Sequence, residues 1–122
     1  MQTRKFSLRA RFKSFNYAFA GLQHFFSTQH NAVIHAIATA IVIAAAFLIQ
    51  LPPTQLLILL IVTGLVWMAE LFNTAIEKLC DMVCPQQHPQ IKFIKDVSAA
   101  AVLVIAIIAL VTGCIIFIPV LI

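Results

Sequence analysis

The sequence predicts an all-α integral membrane protein in which three transmembrane helices follow an N-terminal amphipathic surface helix. Hydrophobic residues make up 62% of the 122 residues, and the mean hydropathy is +1.03, whereas globular domains usually contain about 45–50% apolar residues. The apolar residues lie mainly in three long runs, at positions 32–49, 56–69 and 97–122. Because a bilayer core requires about 20 apolar helical residues, each run predicts one crossing, the middle one after extension by a turn at each end.

Residues 1–30 predict a helix that lies on the membrane surface. Five apolar side chains recur there at helical spacing within an arc of about 80°. They are Phe12, Phe15, Phe19, Leu22 and Phe26. The same face is equally suited to packing against the other helices, and the two interpretations are compatible.

Prolines mark the boundaries of the remaining segments. Pro52 and Pro53 end the first span, because proline lacks a backbone donor and disfavours helix in the residue before it. Pro85 and Pro89 bracket a loop. The first span is predicted at residues 32–51, and the second helix with a cytoplasmic extension at 54–83. The cytoplasmic loop is predicted at 84–91 and the third span at 92–122. No repeat or second domain is visible, so residues 1–122 are predicted to form one domain.

The distribution of basic residues predicts the orientation. Five of the eight precede the first span, at Arg4, Lys5, Arg9, Arg11 and Lys13. The other three lie between the second and third spans, at Lys78, Lys92 and Lys95. By the positive-inside rule, the N-terminus is cytoplasmic and the C-terminus outside, in a multi-pass protein of the cell inner membrane. The net charge of +4 suits an anionic leaflet and a phosphorylated substrate. No nucleic-acid partner is expected.

All acidic residues are concentrated at the cytoplasmic ends of the second and third helices. They are Glu70, Glu77, Asp81 and Asp96. With about 100° per residue, the first three fall together with Thr74 within about 60° on one helix face, and Asn73 lies at the edge of this arc. If the second span needs about 20 residues, Glu70 lies just inside the membrane boundary and Glu77 about 10 Å nearer the water. This polar stripe can meet a lipid headgroup at one end and a soluble ligand at the other.

Other interpretations account for part of the pattern. An acidic helix end is often merely solvated, and Glu70 with Glu77 is also compatible with the proton or cation relay of a small oligomeric channel or transporter subunit. A purely structural subunit is disfavoured by the clustering of the acids. Lys92 and Lys95 are also typical positive-inside anchors, and the alanines at 99–101 indicate close helix packing. Glycine-rich nucleotide motifs are missing, so metal and lysine would have to bind any phosphate.

Three stretches of the chain resemble the prokaryotic diacylglycerol kinase family. The run ELFNTAIEKLCD at residues 70–81 matches that family's signature E-x-x-N-[ST]-A-[IV]-E-x-x-x-D. The run HPQIKFIKD at residues 88–96, with the alanine-rich helix after it, is similar to the second family motif. FNYAFAG at residues 15–21, with Asn31 and His35, extends the resemblance over nearly the whole chain.

The resemblance implies a homotrimeric enzyme that transfers the γ-phosphoryl group of MgATP to a membrane lipid alcohol, with active sites built between subunits. By motif position Glu70 would be the general base and contact the lipid. Glu77 would bind Mg²⁺ and ATP, Asn73 would help to position the reacting groups, Asp81 would support the site, and Ala99 would contact the lipid. Further ATP contacts are implied at Tyr17, Gln86, Gln87, His88, Lys95 and Asp96. These residue types supply what phosphoryl transfer requires, namely alignment, charge neutralisation and a base.

The resemblance implies that the lipid alcohol is undecaprenol or diacylglycerol. The loop with His88 and Pro89, together with Lys92, Asn31 and His35, looks more like the undecaprenol kinase branch of the family. Both lipids offer a primary alcohol at the interface, so the chemistry alone excludes neither.

Gln29 departs from the family pattern, which usually has a second metal-binding glutamate at this position. A glutamine offers Mg²⁺ one neutral oxygen but no charge. We therefore expect Gln29→Glu to lower the Mg²⁺ concentration that gives the half-maximal rate, with kcat changed less. The measurement is the kinase rate against free Mg²⁺ at fixed ATP. Coinciding curves for the variant and the parent protein would show that residue 29 does not approach the metal.

Overall fold

The computed structural model describes residues 5–122, which form four α-helices. They are α1 (Leu8–Thr28), α2 (His30–Leu48), α3 (Pro53–Val83) and α4 (Pro89–Leu121). Helices α2, α3 and α4 are long and apolar enough to cross a membrane. The predicted fold class, three membrane spans after an N-terminal helix, is therefore confirmed. The first four residues of the predicted surface helix, Arg4 among them, lie outside the described residues.

The chain divides into two compact units, the first ending at Ala38 and the second comprising Thr39–Ile122. In the first unit, α1 begins after Ser7, whose side-chain oxygen accepts a hydrogen bond from the backbone N–H of Ala10 (3.3 Å). Short polar side chains stabilise helix N-termini in this way. The helix ends before Gln29, which is extended, and α2 begins at the next residue.

Much of the predicted apolar face of α1 is exposed in the described part of the chain. Phe12, Phe15 and Phe19 are 69%, 62% and 67% exposed, respectively, and the one buried residue of the helix is Phe25. An exposed aromatic face is suited to a membrane surface and to neighbouring helices alike. Both interpretations of the pattern therefore stay open.

Helix α2 ends at Leu48, three residues before the predicted end of the first span. Gln50 has a φ of 55°, in the left-handed region, and the N–H of Leu51 donates to the carbonyl oxygen of Ala46 (3.1 Å). A left-handed residue followed by such a bond is a common way to satisfy the last helical carbonyls. Pro53 is the first residue of α3. Proline is tolerated there because backbone N–H groups in the first turn have no acceptor within the helix.

Helices α3 and α4 contain 31 and 33 residues, or about 46 and 50 Å at 1.5 Å per residue. Because the hydrocarbon core is about 30 Å thick, both helices extend beyond it, as expected for the second helix. Helix α4 begins at Pro89, three residues earlier than predicted. His88 caps it, since its Nδ1 accepts a hydrogen bond from the N–H of Gln90 (3.1 Å), and proline is favoured at the first helical position. Only residues 84–88 remain as a loop.

The apolar core of the second unit lies at the end opposite this loop. Ala46, Leu59 and Ile116 pack together there, one from each of α2, α3 and α4. Further along, Trp67 Nε1 donates to Thr39 Oγ1 (3.0 Å) and joins α3 to α2. Helices α3 and α4 also pack along each other, and at the loop end their contacts are polar. The fold therefore places the polar residues of α3 and α4 together at one end of the unit.

Candidate active site

The polar stripe of α3 is turned towards α4. Ser98 Oγ donates to Asn73 Oδ1 (2.8 Å), and Lys95 Nζ donates to Asp81 Oδ1 (2.6 Å). Asn73 and Asp81 are eight residues apart on α3, which corresponds to about 12 Å along the helix axis. The two bonds therefore link the helices at two depths, and the face predicted from the spacing of the polar residues is the face that meets α4.

Glu77 lies midway between these two links, four residues from Asn73 and four from Asp81. Its side chain is exposed, and its carboxylate acts electrostatically on Lys95. Among residues 5–122, no three His, Cys, Asp or Glu side chains converge as a metal site. Mg²⁺ commonly binds one or two carboxylates and takes its other ligands from substrate phosphates and water. The exposed carboxylate of Glu77 fits a metal ion bound in that manner.

A cleft of about 610 Å³ lies between the loop and the first turns of α4. Four residues that the sequence predicts as ATP contacts line it, namely Gln86, Gln87, His88 and Lys95. The rest of its wall consists of Cys84, Pro85, Pro89, Ile91 and Lys92. Its volume is within the range of about 300–1,000 Å³ that is usual for small-molecule sites. Two lysines among amide, imidazole and apolar groups suit an anionic ligand with a heterocyclic part.

Lys92 and Asp96 form an ion pair along α4. Their side chains are 76% and 62% exposed, and Lys92 Nζ lies 2.5 Å from Asp96 Oδ2. Asp96, predicted as an ATP contact, is not among the residues that line the cleft. Lys92, interpreted from the sequence as an anchor, is one of them. Because exposed ion pairs contribute little free energy, this pair can open readily when a ligand enters.

Glu70 lies one turn before Asn73 on α3 and is only 8% exposed. The distance from Glu70 to Glu77 along the helix axis is about 10 Å. A buried carboxylate on a membrane helix is unfavourable unless other groups compensate for it, so its presence indicates a functional site. The structure thus places a buried acid and an exposed acid on the same helix face, with the exposed one nearer the loop.

Three further predicted site residues are distributed elsewhere. Tyr17 is 73% exposed on α1, and Gln29 ends that helix, with its Nε2 donating to Thr28 Oγ1 (3.5 Å). Both belong to the first unit. Ala99 is exposed on α4, next to Ser98. Their roles in ATP, metal and lipid binding stay predictions.

The sequence analysis did not single out Ser98 or Trp67, and it predicted Cys84 to be a packing thiol with no role in the site. A signal was available for Ser98, because a residue three positions after Lys95 shares its helix face, and a serine is unusual in an otherwise apolar stretch of α4. The Trp67 bond to Thr39 and the place of Cys84 in the cleft wall depend on tertiary packing, which spacing along one helix does not reveal.

Comparison with known proteins identifies the family. The family described as prokaryotic diacylglycerol kinase matches residues 16–117. An undecaprenol kinase of Bacillus subtilis is 37% identical over 108 residues, which cover 88% of this chain and 88% of that protein. A diacylglycerol kinase of Synechocystis is 38% identical over 107 residues, which cover 87% of this chain and 61% of that longer protein. The chain therefore belongs to the prokaryotic diacylglycerol kinase family.

Proposed function

We propose that this membrane lipid kinase transfers the γ-phosphoryl group of ATP to the hydroxyl group of undecaprenol at the cytoplasmic face of the cell inner membrane. One observation carries the proposal. A cleft with two lysines adjoins a helix face on which the carboxylate of Glu77 is exposed and that of Glu70 is buried. In this proposal the face leads from the nucleotide site to the depth of a lipid headgroup.

In the proposed complex, ATP occupies the cleft. Gln86, Gln87 and His88 contact the nucleotide from the loop, and Lys95 pairs with its phosphates. Lys95 is well placed for this, because its bond to Asp81 holds Nζ at the cleft wall. The phosphates then compete with Asp81 for the ammonium group, and Asp81 keeps the lysine in place when the site is empty. Lysine is a common phosphate ligand because it offers a compact positive charge with three donors.

Glu77 would hold Mg²⁺ together with the ATP phosphates. When bound, the ion would offset the negative charge of the phosphates and so favour approach of the lipid oxygen. The contribution of Gln29 to this ion is the prediction made above from the family pattern.

Glu70 accepts the proton of the lipid hydroxyl group in this proposal. The hydroxyl oxygen forms a bond to the γ-phosphorus, the bond from that phosphorus to the β–γ bridging oxygen breaks, and ADP leaves with the electron pair. The burial of Glu70 keeps bulk water away from this step, which disfavours transfer of the phosphoryl group to water. Ala99 on α4 is the proposed lipid contact.

Two observations favour undecaprenol over diacylglycerol. The undecaprenol kinase of B. subtilis matches over 88% of its own length, whereas the diacylglycerol kinase of Synechocystis matches over 61%. The residues around His88 and Lys92 also look more like the undecaprenol kinase branch. Diacylglycerol is the second candidate, since it presents the same primary alcohol at the interface.

The substrate assignment is tested by a lipid panel. Purified protein in vesicles is given ATP, Mg²⁺ and equal mole fractions of undecaprenol or diacylglycerol, and lipid phosphate is measured over time. We expect kcat/KM to be higher for undecaprenol. A higher value for diacylglycerol would reverse the assignment, and ATP consumption without any lipid alcohol would contradict the proposed reaction.

Family membership does not favour the channel or transporter alternative. We further propose a homotrimer with shared active sites, as the family resemblance implies, and a cytoplasmic N-terminus with an external C-terminus. The orientation is supported by the basic residues before the first span and by their absence from the turn at Gln50 and from the C-terminal end.

A further inference from the structure

A partly buried hydrogen bond connects α4 to the polar face of α3. Ser98 is 9% exposed and donates its hydroxyl proton to Asn73 Oδ1 across 2.8 Å. The other link between these helices joins Lys95 and Asp81, whose side chains are 36% and 54% exposed. Water competes less for partly buried polar atoms than for exposed ions, so the bond from Ser98 orients its partner more firmly than the exposed ion pair does. The hydroxyl group of Ser98 thus engages one end of the Asn73 carboxamide, the Oδ1 atom.

The orientation matters because the two ends of a carboxamide have opposite chemistry. The carbonyl oxygen accepts hydrogen bonds, whereas the NH₂ group donates two. A carbonyl oxygen directed at phosphoryl oxygens would repel them, and an NH₂ group would stabilise their negative charge. With Oδ1 held by Ser98, the NH₂ group of Asn73 is the end that is left to face the reacting groups.

Asn73 lies where such a donor would act. It is three residues after the buried Glu70 and four before the exposed Glu77, on the same face of α3. We propose that Ser98 is a positioning residue that holds Asn73 with its NH₂ group directed at the phosphoryl oxygens during transfer. This inference rests on the proposed kinase function and assigns a role to a residue for which the family resemblance implied none.

Two substitutions of Ser98 separate its hydroxyl group from its position in the helix. Ser98→Ala removes the donor, and we expect kcat to fall about three- to tenfold, with the KM for ATP changed less than about twofold. Ser98→Thr keeps the hydroxyl group and should retain most of the activity. Thr112→Val is the matched control, because it removes another hydroxyl group from α4 about 21 Å further along the helix. It should leave kcat unchanged.

A double-mutant cycle with Asn73→Ala distinguishes positioning from a purely structural contact. If Ser98 acts through Asn73, Ser98→Ala should change kcat by less than about twofold once Asn73 is replaced by alanine. The kcat values of Asn73→Ala and of the double variant are measured at raised enzyme concentration. The thermal unfolding midpoints of all variants report whether the fold is intact. The same fold-loss in both backgrounds, or a normal kcat in Ser98→Ala, would overturn the inference.

The wild-type arm separates this inference from the proposed function. If the wild-type protein phosphorylates neither lipid, the proposed function is contradicted. If the wild-type protein is active and Ser98→Ala has the same kcat, only the proposed role of Ser98 is contradicted.

Discussion

The substitution Glu70→Gln is expected to lower kcat for lipid phosphorylation by a factor of about 10²–10⁴, the usual contribution of a general base. Glutamine keeps the size of the side chain at a site where only 8% is exposed, but it cannot accept the proton of the lipid hydroxyl group. ATP should still bind, because the residues that line the cleft are unchanged. The measurements are kcat at saturating ATP and lipid, and the Kd of ATP by equilibrium dialysis.

The matched control is Glu77→Gln, the same replacement at the exposed position about 10 Å further along α3. It should raise mainly the Kd of MgATP, whereas Glu70→Gln should lower mainly kcat, so the two measurements distinguish the variants. A Glu70→Gln protein with near-normal kcat would exclude Glu70 as the base. Loss of ATP binding in that variant would instead assign Glu70 to the nucleotide site.

The second large effect is expected for Lys95→Ala, which should lower kcat/KM for ATP about 10- to 100-fold. This range follows from the roughly 1.5–3 kcal/mol contributed by a hydrogen bond to a charged group, at about 1.4 kcal/mol per factor of ten. Lys95 lines the cleft, is held by Asp81 of α3, and interacts with Glu77. Its ammonium group therefore lies at the wall of the proposed phosphate site, next to two carboxylates of α3.

Lys92→Ala is the matched control for this prediction. Lys92 lines the same cleft, but its ammonium group pairs with Asp96 on the exposed surface of α4. Because exposed ion pairs contribute about 0–1 kcal/mol, we expect the kcat/KM for ATP to fall less than about threefold. Initial rates across a range of ATP concentrations give the values for both variants. Equal losses would mean that the charge of the cleft matters and that the position of Lys95 does not.

Hydropathy and proline positions were sufficient to predict the fold class, because the bilayer fixes the length of each span and proline restricts where helices begin. The exact residues at which the helices end were harder to predict from the sequence. The first span ends before the predicted residue because Gln50 adopts a left-handed conformation. Few sequence patterns predict such a conformation at a glutamine. The third helix begins early because His88 acts as its N-cap, and histidine is not among the side chains usually preferred there.

The site could be predicted in part. Helical spacing placed Asn73, Glu77 and Asp81 on one face, and the structure shows that Asn73 and Asp81 contact α4. The family resemblance is confirmed, and with it the identification of a lipid kinase. The partners of these residues were not predictable from one helix, because Ser98 and Lys95 meet them only after α3 and α4 pack. Periodicity describes the faces of single helices and leaves the register between two helices undetermined.

The most direct test of the proposed reaction follows the fate of the γ-phosphate. Purified protein in vesicles that contain undecaprenol is supplied with Mg²⁺ and ATP labelled at the γ-phosphate, and the lipid fraction is extracted and analysed. The proposal predicts that label appears in undecaprenyl phosphate at the rate at which ADP forms, and that both rates fall together in Glu70→Gln. ADP formation with the label released as inorganic phosphate, or no labelled lipid with either undecaprenol or diacylglycerol, would contradict it.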